Sequence, residues 1–278
     1  MAPKRSGTAR ALVYLVLVSA GSLAVWLGGC DKIASRFPSL RKDPTHKKEH
    51  ARNRAPRAAG AKLAIILDDL GNDREAAETI FALREPLTVS VLPFHPHSTE
   101  IAEQAKRRGL GVMLHLPMQA VGNELPEAHQ LHGGMTEAEV ARMLGEMLQS
   151  VPTAAGVNNH EGSLATTDTQ LMTELMPLLK QRGLFFVDSR TTAATVAFDT
   201  AEHAGVRSGF RNVPFLDDVE EVAAIRKQME LAVDGAKEKG AAIAIGHPHT
   251  ATLQVLDEML PELQSQGVQL VLVSDLVR

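Results

Sequence analysis

A chain of 278 residues, 44% of them apolar and with a mean hydropathy of −0.06, can hold one large α/β domain with a sizeable core, or two small ones. Its formal charge of −4 is unevenly divided: residues 1–60 hold 12 Lys or Arg and 3 Asp or Glu, whereas the other 218 hold 17 and 30, a net of −13 that argues against nucleic-acid binding by the body. The single cysteine, Cys30, excludes an intramolecular disulfide.

The N-terminus reads as an export signal. Lys4, Arg5 and Arg10 precede "ALVYLVLVSAGSLAVWLGG" (11–29), an uncharged run that ends at Cys30, so a positive segment leads into an apolar one. "LGGC" (27–30) resembles the bacterial lipobox, in which small residues precede a cysteine that is lipidated. The length of the run suits an uncleaved signal anchor equally well. Both readings tether the chain to a membrane through residues 1–30, with the remainder facing the periplasm or exterior of a bacterial envelope. Residues 31–60, with nine Lys or Arg against three Asp or Glu and no apolar periodicity, read as a basic flexible linker.

From residue 61 to 278 short apolar runs alternate with amphipathic stretches. "KLAIIL" (62–67) runs into Asp68 and Asp69, and Asn72 or Asp73 can cap a helix through "REAAETIFALR". "LTVSVL" (87–92) precedes "STEIAEQAKRRG", and "LGVMLH" (110–115) precedes "TEAEVARMLGEMLQS", in which Thr136 and Glu139 have the spacing of a capping box. "AAGVN" (154–158) precedes "DTQLMTELMPLLKQRG", and "GLFFVD" (183–188) is followed by a weaker run near "GVRSGFRNV". "AAIAIG" (241–246), the helical pattern "TLQVLDEMLPELQSQG" and "VQLVLV" (268–273) close the chain. Such βα alternation predicts a parallel sheet, and seven to eight strands favour its closure into a barrel.

Polar residues gather at the C-terminal ends of these runs. Asp68 and Asp69 end the first, His115 the third, and "NNHEGS" the fourth, with Asn158, Asn159, His160 and Ser163. "DSRTT" ends the fifth, with Asp188 and Arg190, and "GHPH" ends the seventh, with His247 and His249. In a parallel barrel these ends form one ring, the usual place for a site. A carboxylate with two or three imidazoles is a plausible shell for zinc or a similar divalent ion, and a second carboxylate beside it can serve as general base. His95 and His97, between prolines, read as a turn and helix entry, and His129, His132 and His203 as surface or loop residues.

The stretches "ILDDLG", "VSVLPF", "MLHLPM", "GVNNHEGS", "FFVDSRT" and "AIAIGHPH", in this order, resemble the divergent polysaccharide deacetylases, a branch of the NodB-like carbohydrate esterase superfamily. The resemblance covers about residues 61–278. It implies a distorted barrel of about seven parallel strands and a metal-dependent removal of acetyl groups from a glycan. By position it implies Asp68 as general base, Asp69, His115 and His160 as metal ligands, and His247 as general acid. It also implies that Asp188, Arg190, Arg211 and Asp217 orient the base or bind substrate, roles for which the strand-end residues Asn159 and His249 are further candidates. The two imidazoles stand 45 positions apart, where the superfamily's pair lies within one segment, and Glu161 stands where this branch has an apolar residue.

The residues alone lead to the same chemistry, hydrolysis of an acyl ester or amide with Asp68 taking a proton and His247 giving one. Two other readings stay open: another metal hydrolase barrel of the amidohydrolase or phosphoesterase kind, since "HPH" is like an H-x-H pair, and a membrane-tethered domain that binds a metal or glycan without turnover. Tyr14 and Trp26 are the chain's only Tyr and Trp, so the body has neither to stack on sugar rings, which leaves the substrate open.

Overall fold

The computed structural model describes residues 60–122 and 129–278. The expectations of an export segment, a lipobox or anchor, and a basic linker fall outside these residues, apart from Gly60. Among the described residues no helix is long and apolar enough to cross a membrane. The elements alternate as the patterning predicts: β1 (Ala61–Leu70), α1 (Arg74–Ala82), β2 (Thr88–Val91), α2 (Ser98–Arg107), β3 (Gly111–Met118), α3 (Glu137–Ser150), β4 (Gly156–Glu161) and α4 (Thr169–Gln181). They continue with β5 (Phe185–Asp188), α5 (Ala197–Ala204), β6 (Ser208–Phe210), α6 (Val222–Lys239), β7 (Ala241–Gly246), α7 (Thr250–Met259) and β8 (Val268–Leu270).

Local chemistry sets the helix ends. Asp73 caps α1 by accepting from the Glu75 and Ala76 amides, and Thr136 and Glu139 form the reciprocal capping box at α3. The last helix is shorter than its pattern predicts. α7 stops at Met259 and a 3₁₀ turn, Leu260–Glu262, follows, because Pro261 has no N–H to continue the helical bonding.

Every strand pairing is parallel, in the order β6-β5-β4-β3-β2-β1-β7. β8 pairs with Ala61–Leu63 on the edge of β1 opposite β7, beneath the stretch where β2 takes over from Ile66. The seven strands form a curled half-barrel, the distorted α/β barrel that the sequence predicts. No strand pair joins β6 to β7. Instead the Asn212 N–H donates to the Ile243 carbonyl (2.9 Å), the Ile243 N–H donates to Asn212 Oδ1 (2.6 Å), and the Leu216 N–H donates to the Ile245 carbonyl (2.9 Å).

Alternate residues of each strand serve two cores. Leu63, Ile65 and Leu67 of β1, Val157 of β4, Phe186 of β5 and Ala242 and Ala244 of β7 pack with the helices in the larger core. Ala64 and Ile66, Met113, Phe185 and Val187, and Ile243 and Ile245 fill the inside of the barrel with Val271, Val273 and Val277. Because both faces are buried, strands such as β1, β5 and β7 read as near-continuous apolar runs. The inside is tightly filled: a Cβ on Gly156 would run into the Phe185 ring, which occupies the space that only glycine leaves.

Candidate functional site

Continuing the inward alternation upward leads straight to the polar residues. Ala64 and Ile66 are followed by Asp68, Met113 by His115, Phe185 and Val187 by Ser189, and Ile243 and Ile245 by His247, while Asn158 and His160 stand two apart on β4. The inner column of each strand thus ends in a side chain at the mouth of the barrel. Asp69 should by this rule face the helices. It does not, because β1 carries a bulge there: the pairing passes from Leu67↔Val89 to Leu70↔Val91, and Asp69 takes the left-handed conformation at φ 58°. The extra residue turns the second carboxylate to the same side as the first.

Three ligand-type groups meet at Asp69 Oδ1. His115 Nε2 lies 3.1 Å from it, His160 Nδ1 lies 3.0 Å from it, and the two ring nitrogens are 3.1 Å apart. The 45 positions between the histidines are spanned by neighbouring strands, with His115 opposite Asn158 and Pro117 opposite His160. Asp69 Oδ1 is buried and has no aligned hydrogen-bond donor. A buried oxygen left without a donor, with two nitrogen lone-pair positions around it, is a fitting place for a cation, and the donor set of one carboxylate and two imidazoles suits zinc. Burial opposes ionisation of Asp69, but the imidazoles of His115 and His160 hold it well below the usual carboxylate range.

Asp68 is 1% exposed and accepts from Asn158 Nδ2 at 2.9 and 3.1 Å, with its Oδ2 3.7 Å from His115 Nε2. Burial pushes its pKa up, against the opposing charges of His115 and His247 and the Asn158 hydrogen bond. His247 Nε2 lies 4.0 Å from Asp69 Oδ2, and its Nδ1 is 2.9 Å from Asp217 Oδ1. Asp217 is itself fixed, since its Oδ2 accepts from the His247 N–H (2.6 Å) and the Thr252 hydroxyl (2.8 Å). Burial alone would lower the His247 pKa, but the Asp217 hydrogen bond and charge, helped by Asp68 and Asp69, push it up to about 9.

Asp68, Asp69, His115, His160, Asp217 and His247 therefore come together. The other residues expected at the site lie around it. Asn159 points to the opposite face of β4 from His160, where its Nδ2 donates to the Glu161 carbonyl and its Oδ1 accepts from the Ser189 N–H. Asp188 spends its carboxylate on the Arg190 and Phe198 amides and the Thr195 hydroxyl. Arg211 donates to the Ser189, Val213 and Arg190 carbonyls and lies 4.0 Å over the Phe215 ring. These three brace loops and do not contact the reacting groups. Arg190 is exposed, at φ 50°, with its guanidinium 3.6 Å over Phe210. His249 lies 3.6 Å from Glu220 and forms a second His/Asp group with His247 and Asp217. Glu161, at φ 51°, offers its carbonyl to Asn159 and Thr191.

Asn158, placed by the sequence among the polar strand-end residues but given no role, and Ser90 and Ser189, which it did not single out, form the buried floor of the centre. The Ser90 hydroxyl donates to Asn158 Oδ1 (2.5 Å), and Asn158 Nδ2 donates to Ser189 Oγ (3.1 Å). The available signal for Asn158 was its position two residues before His160, hence on the same face.

A family model described as divergent polysaccharide deacetylase matches residues 65–277. An uncharacterized protein of Haemophilus influenzae is 40% identical over 220 residues, 79% of this chain and 78% of that protein. Among solved structures, an uncharacterized protein from Agrobacterium tumefaciens C58 aligns with a TM-score of 0.74 at 21% identity, over 80% of this chain and 92% of that chain. A mutant of a Bacillus anthracis protein, described as a CE4 family pseudoenzyme with restored enzymatic activity, aligns with a TM-score of 0.54 at 12% identity, over 80% of this chain and 69% of that chain.

Proposed function

The chain belongs to the divergent polysaccharide deacetylase family, and from that premise we propose that it is a metal-dependent hydrolase that removes acetyl or other acyl groups from an envelope carbohydrate. One observation carries the reading: Asp69 Oδ1, buried and without an aligned donor, stands 3.0 to 3.1 Å from His160 Nδ1 and His115 Nε2. A divalent cation such as zinc, held by Asp69, His115 and His160, would supply Lewis acidity toward the acyl oxygen and a more acidic water.

The chain's own groups account for the proton transfers. Asp68 takes a proton from the attacking water, whose oxygen bonds to the acyl carbon. Its buried setting and the raised pKa make it a stronger base than an exposed carboxylate. As the bond from carbon to the amine or alcohol breaks, His247 gives its Nε2 proton to the departing atom. Asp217 holds the opposite ring nitrogen and keeps the ring protonated at neutral pH, as a proton donor requires.

The envelope setting of this reading is supported by Lys4, Arg5, Arg10, the apolar run 11–29 and Cys30, which suit attachment to a membrane. The absence of Tyr and Trp after residue 26 favours a substrate gripped by polar contacts over a long glycan laid across aromatic platforms. The test is thermal melting with and without zinc, followed by acetate release from acetylated glycans and peptidoglycan fragments. Zinc should raise the melting temperature of the parent and not of Asp69→Ala. Equal melting of the parent in zinc and in chelator would overturn the metal assignment, and zinc binding without acyl release from any fragment would favour a binding domain.

A further inference from the structure

We propose that Asn158 is the positioning residue of this centre: its buried amide fixes His115 in the Nδ1–H tautomer, so that the bare Nε2 faces Asp69 and His160. The inference rests on the metal-centre reading above, but the hydrogen bonding that carries it is independent of any cation. Asn158 and His115 are 0% and 2% exposed, so each of their polar atoms needs a partner within the protein.

The chain of assignment starts at Asp68. Its ionised oxygens only accept, and both lie within 3.1 Å of one end of the Asn158 amide, so that end is Nδ2. The other end is then Oδ1, which only accepts. It stands 3.0 Å from His115 Nδ1 and also receives the Ser90 hydroxyl. His115 must therefore donate from Nδ1, and in the neutral ring this leaves the Nε2 lone pair toward Asp69 Oδ1 and His160 Nδ1, at 3.1 Å from each. Ser189 Oγ, 3.1 Å from Nδ2, accepts from the same end of the amide. One amide so links the base Asp68 to the ligand His115, across β1, β3 and β4. Partners of this kind that fix a ligating imidazole typically change metal affinity by about 10- to 100-fold when removed.

Two variants separate orientation from simple packing. Asn158→Ala removes both the acceptor and the donor, whereas Asn158→Asp keeps an acceptor for His115, removes the donor to Asp68 and Ser189, and sets a second carboxyl group beside Asp68. The readouts are the ¹⁵N spectrum of His115, in zinc-loaded and in metal-free alkaline protein, and zinc affinity by calorimetry. The parent should show the proton on Nδ1 in both states. Asn158→Ala should show mixed tautomers without metal and bind zinc about 10- to 100-fold more weakly. Asn158→Asp should keep the parent tautomer and bind zinc more tightly than Asn158→Ala. A parent proton on Nε2, or an Asn158→Ala protein with parent tautomer and affinity, would overturn the proposal. If Asn158→Ala does not fold, the parent spectrum and Asn158→Asp still decide it. A parent that binds no zinc would sink the metal reading, while its metal-free spectrum still judges Asn158.

Discussion

Replacing Asp217 with Asn probes the pair that keeps His247 protonated. Burial pushes the His247 pKa down, yet the hydrogen bond and charge of Asp217, with smaller contributions from Asp68 and Asp69, raise it from 6.5 to about 9. At about 1.36 kcal/mol per pH unit, that rise corresponds to about 3 kcal/mol, and Asp217 supplies its two largest favourable causes. The His247 side chain is 25% exposed and that of Asp217 is 0%, so solvent screens the pair little. A folded pKa above the unfolded one gives stability that is complete below the unfolded value of 6.5 and lost as pH rises through about 9. In chelator, urea unfolding should therefore show the parent more stable than Asp217→Asn by about 2 kcal/mol or more near pH 6. The gap should narrow between about pH 6.5 and 9 to a residue that reflects the weakened bonds to the His247 N–H and Thr252. A gap that stays constant across this range would refute the coupling.

Asp68→Asn should keep zinc affinity while lowering turnover by roughly 10²–10⁴, the scale of losing a general base, and an equal loss of zinc would reverse the roles of the two aspartates. Asp69→Gly and Asp69→Ala should both lose the zinc-dependent rise in melting temperature. Without metal the glycine variant should be the more stable by about 0.5–1 kcal/mol, because φ 58° strains any residue with a Cβ; the reverse order in urea unfolding would show that the bulge stores no strain. Gly156→Ala should destabilise by about 1–3 kcal/mol through its clash with Phe185, and Phe185→Leu in the same chain should recover part of that loss in a double-mutant cycle. Additive effects would mean that the two residues do not compete for the same space.

Much of this protein is determined by local sequence. Apolar runs of strand length separated by helical periodicity already imply a parallel α/β barrel. Asp73 before α1 and Thr136 with Glu139 before α3 announce their caps, because a cap needs only its own turn of backbone. The ends of the runs likewise mark Asp68, His115, His160 and His247, since in a parallel barrel all such ends share one rim. Which of two adjacent residues faces the site was not legible. Where both faces of a strand are apolar, alternation shows that Asn158 and Asn159 point apart but not which one is inside, and only the packing of Met113, Phe185 and Ile243 within the barrel decides for Asn158. Nor does any local signal announce the bulge that turns Asp69 beside Asp68, since it arises where β1 passes from Leu67 to Leu70 against Val89 and Val91. Chain-local energies set the elements and their ends, while the inward face and the convergence of Asp69, His115 and His160 depend on pairings between strands far apart in sequence, which exist only once the barrel has curled.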